Sequence, residues 1–356
     1  MNALKLILFF ILFSACKAEE TSSDENYQCD VLPLENDIER IEIIQLHDEV
    51  IVQGLASASA PNAEGAMGRN KEAYFHVRFQ IGIAAVADYA VFSENLEVLE
   101  LTFKAIEYSF DYQLEEGDFE LQIPENLEGS TLNPQDLASG TAFFLSSLGL
   151  ALNTLDQSNW FNSSGLIAYH QRLELLKPKI QLAADWLLTQ ESILEVADQN
   201  APNRLFYDAL AFYSLGKWLE DENLKEVGLE FAQMAINKKE PEGYFLEGDG
   251  WDGSYQGVAN QVGFNLFSIL DSDEALKQAL WDCLSCSTDW QKSRILENGE
   301  ISTEDNTRVY PGGESFLGNE KFVDWKQTMG SFLMMHYYSE NDEYYDLAIT
   351  VKNFYQ

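Results

Sequence analysis

Basic side chains are the scarcest resource of this chain, with 22 Lys and Arg against 59 Asp and Glu and a formal net charge of −37. A surface of that sign repels phosphate backbones and anionic lipid heads, which excludes nucleic-acid binding and a peripheral membrane face. It repels acidic polysaccharides as well, so an anionic ligand has to be met by a few local cations, with salt screening the rest beyond about 10 Å. Histidine is limited to His47, His76, His170 and His336, and there are four cysteines. Cys283 and Cys286 form a lone C-x-x-C, so no zinc site is expected; the two either bridge each other or pack as thiols, and Cys29 is expected to have no structural partner. No metal and no cofactor are implied. Beyond the first residues no apolar run reads as a membrane span.

At the N-terminus, Lys5 precedes the apolar run Leu6 to Phe13, then Ser14, Ala15 and Cys16. The run falls short of the roughly 20 residues a spanning helix needs and reads as a signal peptide over residues 1–15. Phe13-Ser14-Ala15-Cys16 resembles the lipobox of bacterial lipoproteins, with Phe13 in place of the usual aliphatic residue. That resemblance implies lipidation at Cys16 and a lipid-anchored protein of the outer membrane, facing the exterior or the periplasm. Residues 16–36 are acidic and poor in apolar groups and are expected to form a tether, leaving 37–356 as one catalytic domain, a monomer touching the membrane only through its anchor.

An internal repeat governs the rest. Ser93-Glu94-Asn95-Leu96 through Ile106 matches Asp221-Glu222-Asn223-Leu224 through Ile236, and Ser339-Glu340-Asn341 through Phe354 is a third copy. In each, an aromatic-rich helix runs through a short polar turn into a second amphipathic helix, and the first two copies end alike at Gly117-Asp118-Phe119 and Gly243-Tyr244-Phe245. One helical hairpin cannot cover its own apolar face, but a stack of them can. Small residues in Gly82-Ile83-Ala84-Ala85-Val86-Ala87 suit close packing about an axis. The expected fold is all-α, an (α/α) toroid.

Three irregular segments are candidates for chemistry. In Glu247 to Gln261, glycines let a ligand approach the backbone, Trp251 and Tyr255 offer flat faces for sugar rings, and Asp252, Gln256 and Asn260 offer polar groups. In Asn200 to Asp208, Asn203, Arg204 and Tyr207 suit a carboxylate, since Arg presents a bidentate fork. Asp305 to Glu314 is a long connection carrying Arg308 between acids, with Tyr310 and Glu314 beside it. Among the histidines His76 is favoured, because Asn70, Lys71 and Arg78 make its surroundings the densest basic cluster of the chain.

Asp252-Gly253-Ser254-Tyr255-Gln256, in a glycine-rich loop before a helix of a toroidal repeat, resembles the polysaccharide lyases and related uronate-processing enzymes with (α/α) toroid folds. The resemblance implies an acidic poly- or oligosaccharide substrate, neutralisation of its carboxylate by Asn203 with Arg204 or Arg308, and proton transfer by Tyr255. It departs at Gln256-Gly257, where the related loop often has a histidine, so either Tyr255 handles both protons or His76 or His336 reaches in. The implied activity is that of a carbon–oxygen lyase: once the carboxylate is neutralised and the enolate held, a base takes the C5 proton and the bond to the C4 oxygen breaks. Release of a sugar would be lyase cleavage, release of water a dehydration resembling one of marine ulvan degradation. Two alternatives stand beside it. One is an inverting glycoside hydrolase using Asp252 or Asp249 with Glu314. The other is a glycan-binding lipoprotein without catalysis.

Overall fold

The computed structural model describes residues 29, 31–72, 74–123, 133–272, 274–316 and 318–356. The signal peptide and Cys16 lie outside the described residues. Thirteen α-helices follow one another: α1 (Arg40–Leu46), α2 (Glu49–Ser59), α3 (Ile83–Phe92), α4 (Leu96–Phe110), α5 (Pro134–Gln157), α6 (Ile167–Thr189), α7 (Glu191–Asp198), α8 (Pro202–Leu219), α9 (Glu222–Ile236), α10 (Gly253–Phe267), α11 (Leu276–Lys292), α12 (Trp325–Ser339) and α13 (Asp342–Tyr355). Among the described residues the only strand ladder is the two-residue pairing of Ser315–Phe316 with Asn319–Glu320.

The arrangement is the expected (α/α) toroid. Helices α3, α5, α8, α10 and α12 pack each on the next as an inner wall, and α1 bridges α12 and α3 to complete it. Helices α2, α4, α6, α9, α11 and α13 stand outside. Helix α5 is long and apolar enough to cross a membrane by length and composition, contrary to the expectation from the sequence, but 94% of the qualifying window is buried inside the ring. It is apolar all round because protein surrounds it.

The sequence repeat corresponds to turns of one construction. In the three repeat copies the inner helix, α3, α8 or α12, is followed by a residue in the left-handed region, Glu94, Glu220 or Glu340, which reverses the chain. The next residue, Asn95, Asp221 or Asn341, then caps the outer helix by accepting its first free N–H groups. At the other end, four outer helices finish in a glycine at positive φ: Gly65, Gly117, Gly243 and Gly299. A Cβ on these would lie 2.2 Å from Lys104 O, 2.3 Å from Leu182 O, 2.9 Å from Cys286 O and 2.3 Å from Thr350 O. Each carbonyl belongs to the following outer helix, so every such loop leans on its neighbour and fixes the stagger of the outer ring. Gly299 is a copy that the sequence comparison passes over, because Ile301 replaces the aromatic found at Phe119 and Phe245.

The inner-to-outer turns are mostly short and lie at one end; the outer-to-inner connections are long and gather at the other. Residues 31–39 and α1 cover the short-turn end. Glu35 N donates to Tyr338 O and Arg40 N to Ser268 O, while Leu32 exchanges hydrogen bonds with Ser285 and Trp281. The ordered domain therefore begins before Asp37, and a disulfide joins Cys29 to Cys286. That pairing corrects the expectation that Cys29 lacks a partner and that Cys283 and Cys286 either bridge each other or pack as two thiols; Cys283 alone is a buried thiol. The bridge closes a span of 257 residues, so Cys29→Ser is expected to lower unfolding stability by about 2–4 kcal/mol. Denaturant melts of both proteins measure this, and coincident midpoints would show that the N-terminal segment docks without help from the bond.

Candidate active site

Four long connections bring their polar residues to one end of the ring. Asp252 organises them. It caps α10, accepting from Ser254 N and Tyr255 N at 3.0 Å each, and its second oxygen accepts from Arg308 N at 3.0 Å and Val309 N at 2.7 Å. A carboxylate with four backbone partners and 1% exposure fastens the 305–314 connection to the start of α10 rather than touching substrate. Gln256 is likewise internal, bonding Phe245 N and Ser287 O, and Asn260 is fully buried against Ser287. These correct the binding roles expected for all three. Trp251 forms no platform with Tyr255: its ring packs with Tyr244, Trp290 and Arg294. Tyr310 and Asp249 are exposed on their loops.

The anchored connection places Arg308 at the centre of a charged cluster. Its Nη1 binds Glu247, and its Nε and Nη2 bind Glu314 at 3.1 and 2.7 Å. Tyr255 donates to Glu314 Oε2 at 2.8 Å and accepts from Lys321, while the Arg308 guanidinium lies 4.4 Å above the Tyr255 ring. The two carboxylates on this one guanidinium differ in proton affinity. Burial pushes Glu247 up to about 7 against the pull of Arg308. Burial would raise Glu314 too, but hydrogen bonds from Arg308 and Tyr255 and the charge of Lys321 bring it down to about 2. One carboxyl therefore carries a proton near neutrality and the other does not, the division of labour of an acid–base pair.

Tyr255 and Arg308 are thus brought together as expected, but not for proton abstraction. Burial holds the phenol well above its usual range, with Glu314 adding to the rise, and its proton is committed to Glu314. His76 sits elsewhere. Its Nδ1 accepts from Arg78 N at 3.5 Å, it is 1% exposed, and burial followed by the charge of Arg78 brings it down to about 3. His336 lies at the opposite end, in the last turn of α12, where its Nδ1 is 3.2 Å from Asn341 O. None of the three groups expected to take the proton, Tyr255, His76 and His336, is poised to do so.

The 202–208 segment is split. Asn203 is buried at the start of α8, Arg204 pairs with buried Asp198 at 3.1 Å, and Tyr207 faces the central cavity. Asp208, fully buried beside Asp198, is raised well above its usual range by burial and by that neighbouring charge.

The residue that sequence reading underweighted is Arg78. Its guanidinium is clasped between the rings of Phe143 at 4.9 Å and Phe316 at 4.3 Å, and it makes no ion pair or side-chain hydrogen bond among the described residues. Burial first, then the neighbouring charge of Arg204, brings it down to about 10, so it stays cationic at neutral pH. Lys321 and Asp324 were also missed; both close the long connection into α12. Near them, a cavity of about 450 Å³ occupies the axis of the ring, walled by inner helices, α1 and the end of α2, and lined by Tyr207, Asp324, Asp88 and Gln261 among others. That size falls in the range of small-ligand pockets. Among the described residues no metal-ligating group of three is present.

No protein-family model and no curated protein sequence matches the chain. Among solved structures it is similar to the unsaturated glucuronyl hydrolase of Bacillus sp. GL1, at 11% identity over 73% of each chain with a TM-score of 0.47. It is similar also to the unsaturated glucuronyl hydrolase of a Streptococcus, at 9% identity over 89% of this chain and all of that one, with a TM-score of 0.46. The likeness lies in the ring of helical hairpins. Both proteins are named as hydrolases. In this chain the Tyr255 phenol is engaged by Glu314 and His76 is buried, so the two groups expected to move the proton are unsuited to take it, which corrects the expectation of a carbon–oxygen lyase.

Proposed function

We propose that the chain is a glycoside hydrolase acting beside a uronic acid in an acidic oligosaccharide. The observation that supports it most is Arg78, a deeply set guanidinium in no ion pair among the described residues, in a chain of net charge −37. Burying a cation without a partner is costly, and a chain so rich in acids had many to offer it. A sugar carboxylate, planar and bidentate, matches the fork that Arg78 leaves free. Arg204, Arg308 and Lys321 are each paired with an acid, so Arg78 is the cation left to meet an acidic glycan against the general repulsion.

Hydrolysis then needs a proton for the departing oxygen. Glu247, at about 7, is the carboxyl that carries one near neutrality, and Arg308 with Glu314, Tyr255 and Lys321 fixes its place. The α1 plug gives the axial cavity a floor, which favours attack at a chain end over attack along a threaded chain. The unsaturated glucuronyl hydrolases fall in the same substrate class. An envelope location is part of the proposal, and the Cys29–Cys286 bridge supports it because such bonds persist in oxidising compartments.

Purified protein incubated with oligosaccharides ending in glucuronate, iduronate or unsaturated uronate is expected to release new reducing ends, without a rise in the ultraviolet absorbance of an unsaturated uronate. A rise in absorbance, or binding without new ends, would contradict hydrolysis.

A further inference from the structure

Of the residues lining the axial cavity, two are carboxylates, Asp88 and Asp324. They differ in freedom. Asp88 is bound to Arg40 at 2.6 Å and accepts from Thr154 at 3.0 Å, so its charge is spent on holding α1 to the floor. Asp324 is in no ion pair among the described residues, and its side chain is accessible although the residue lies deep in the ring. Its backbone is fixed: Asp324 N donates to Ser254 Oγ at 2.9 Å, which ties the start of α12 to the first turn of α10, two residues from Asp252. Tyr207 feels its charge and that of Arg78. The Tyr207 ring packs on Phe143 at 4.4 Å, and Phe143 in turn carries the guanidinium of Arg78. Asp324 and Tyr207 both line the cavity, and Tyr207 leads through Phe143 to Arg78; among the described residues neither the Asp324 carboxylate nor the Arg78 guanidinium is in an ion pair.

We infer that Asp324 is the general base of the hydrolysis proposed above, on which this inference rests: it accepts a proton from the water that attacks a sugar whose carboxylate lies on Arg78. The step balances. The water oxygen bonds to the anomeric carbon, the bond from that carbon to the glycosidic oxygen breaks, Glu247 protonates the departing oxygen, and Asp324 takes the proton of the water. One water is consumed, and solvent returns the two carboxyls to their starting states. Direct attack by water in a single displacement gives inversion at the anomeric carbon. Burial raises the proton affinity of Asp324, which suits it to accept one.

The test compares wild type, Asp324→Asn and Asp324→Ala on a uronate-terminated oligosaccharide, with product configuration followed by NMR and substrate affinity by calorimetry. Both variants are expected to lose about 10²–10⁴-fold in kcat with KM nearly unchanged. Sodium azide is expected to restore part of the turnover of Asp324→Ala, giving a glycosyl azide of inverted configuration, whereas Glu247→Gln gains nothing from azide. Loss of kcat with no azide rescue, or affinity falling in parallel with kcat, would overturn the role of Asp324, as would a variant as fast as wild type. A wild-type protein that releases no reducing ends would instead bring down the hydrolase reading itself.

Discussion

Replacing Arg78 with leucine is expected to lower kcat/KM on a uronate glycan by about 10²–10³-fold and to leave the melting temperature unchanged or slightly higher. The reason is an asymmetry in what the guanidinium does with and without substrate. Between Phe143 and Phe316 it gains about 0.5–2 kcal/mol from the ring faces, against the cost of desolvating a charge that has no counter-ion among the described residues. Leucine keeps the apolar contact and removes the charge, so the fold loses little. With substrate bound, breaking a buried charged pair costs about 3–5 kcal/mol, hence the loss in kcat/KM. Steady-state kinetics and a thermal melt on one preparation decide it. A variant that melts far below wild type yet turns over normally would make Arg78 a structural residue.

Glu247→Gln is expected to lower kcat by about 10²–10⁴-fold, the usual worth of a positioned acid, and to remove the alkaline limb of the pH profile. The sign follows from the raised proton affinity. A carboxyl at about 7 is protonated below that pH and loses its proton above it, so a reaction that uses it as an acid declines as pH rises through about 7. Glutamine keeps the shape, and Arg308 keeps its hold on Glu314 through Nε and Nη2. A substrate with a leaving group that departs without protonation is expected to suffer much less. An alkaline limb that persists in the variant would assign it to another group.

The toroid was readable in the sequence because its unit repeats: the left-handed turn, the Asn or Asp cap and the glycine that leans on the next helix each leave a mark at a fixed spacing. The site was readable only where one loop carried several polar residues. Tyr255, Arg308 and Glu314 were found that way, and they do meet. The same crowding misled for Asp252, Gln256 and Asn260, whose polar groups serve the backbone of neighbouring connections, a use that composition does not reveal. Trp251 misled for a similar reason, since only packing shows that its ring turns to Tyr244 and Trp290. Arg78 and Asp324 left a weaker trace, because their meaning lies in what they lack. That one is not neutralised and the other not paired depends on connections more than a hundred residues apart in the chain. Cys29 was misread as tether because residues near it are acidic, whereas Leu32 and the disulfide bind the segment to α11.

The most direct measurement is calorimetric binding of two oligosaccharides to Glu247→Gln, identical except that one ends in glucuronate and the other in glucose. With Arg78 seating the carboxylate, the acid is expected to bind at least about 100-fold more tightly, as a desolvated charged pair requires, and to lose that advantage in Glu247→Gln carrying Arg78→Leu. Equal affinities for the acid and the neutral sugar would contradict it.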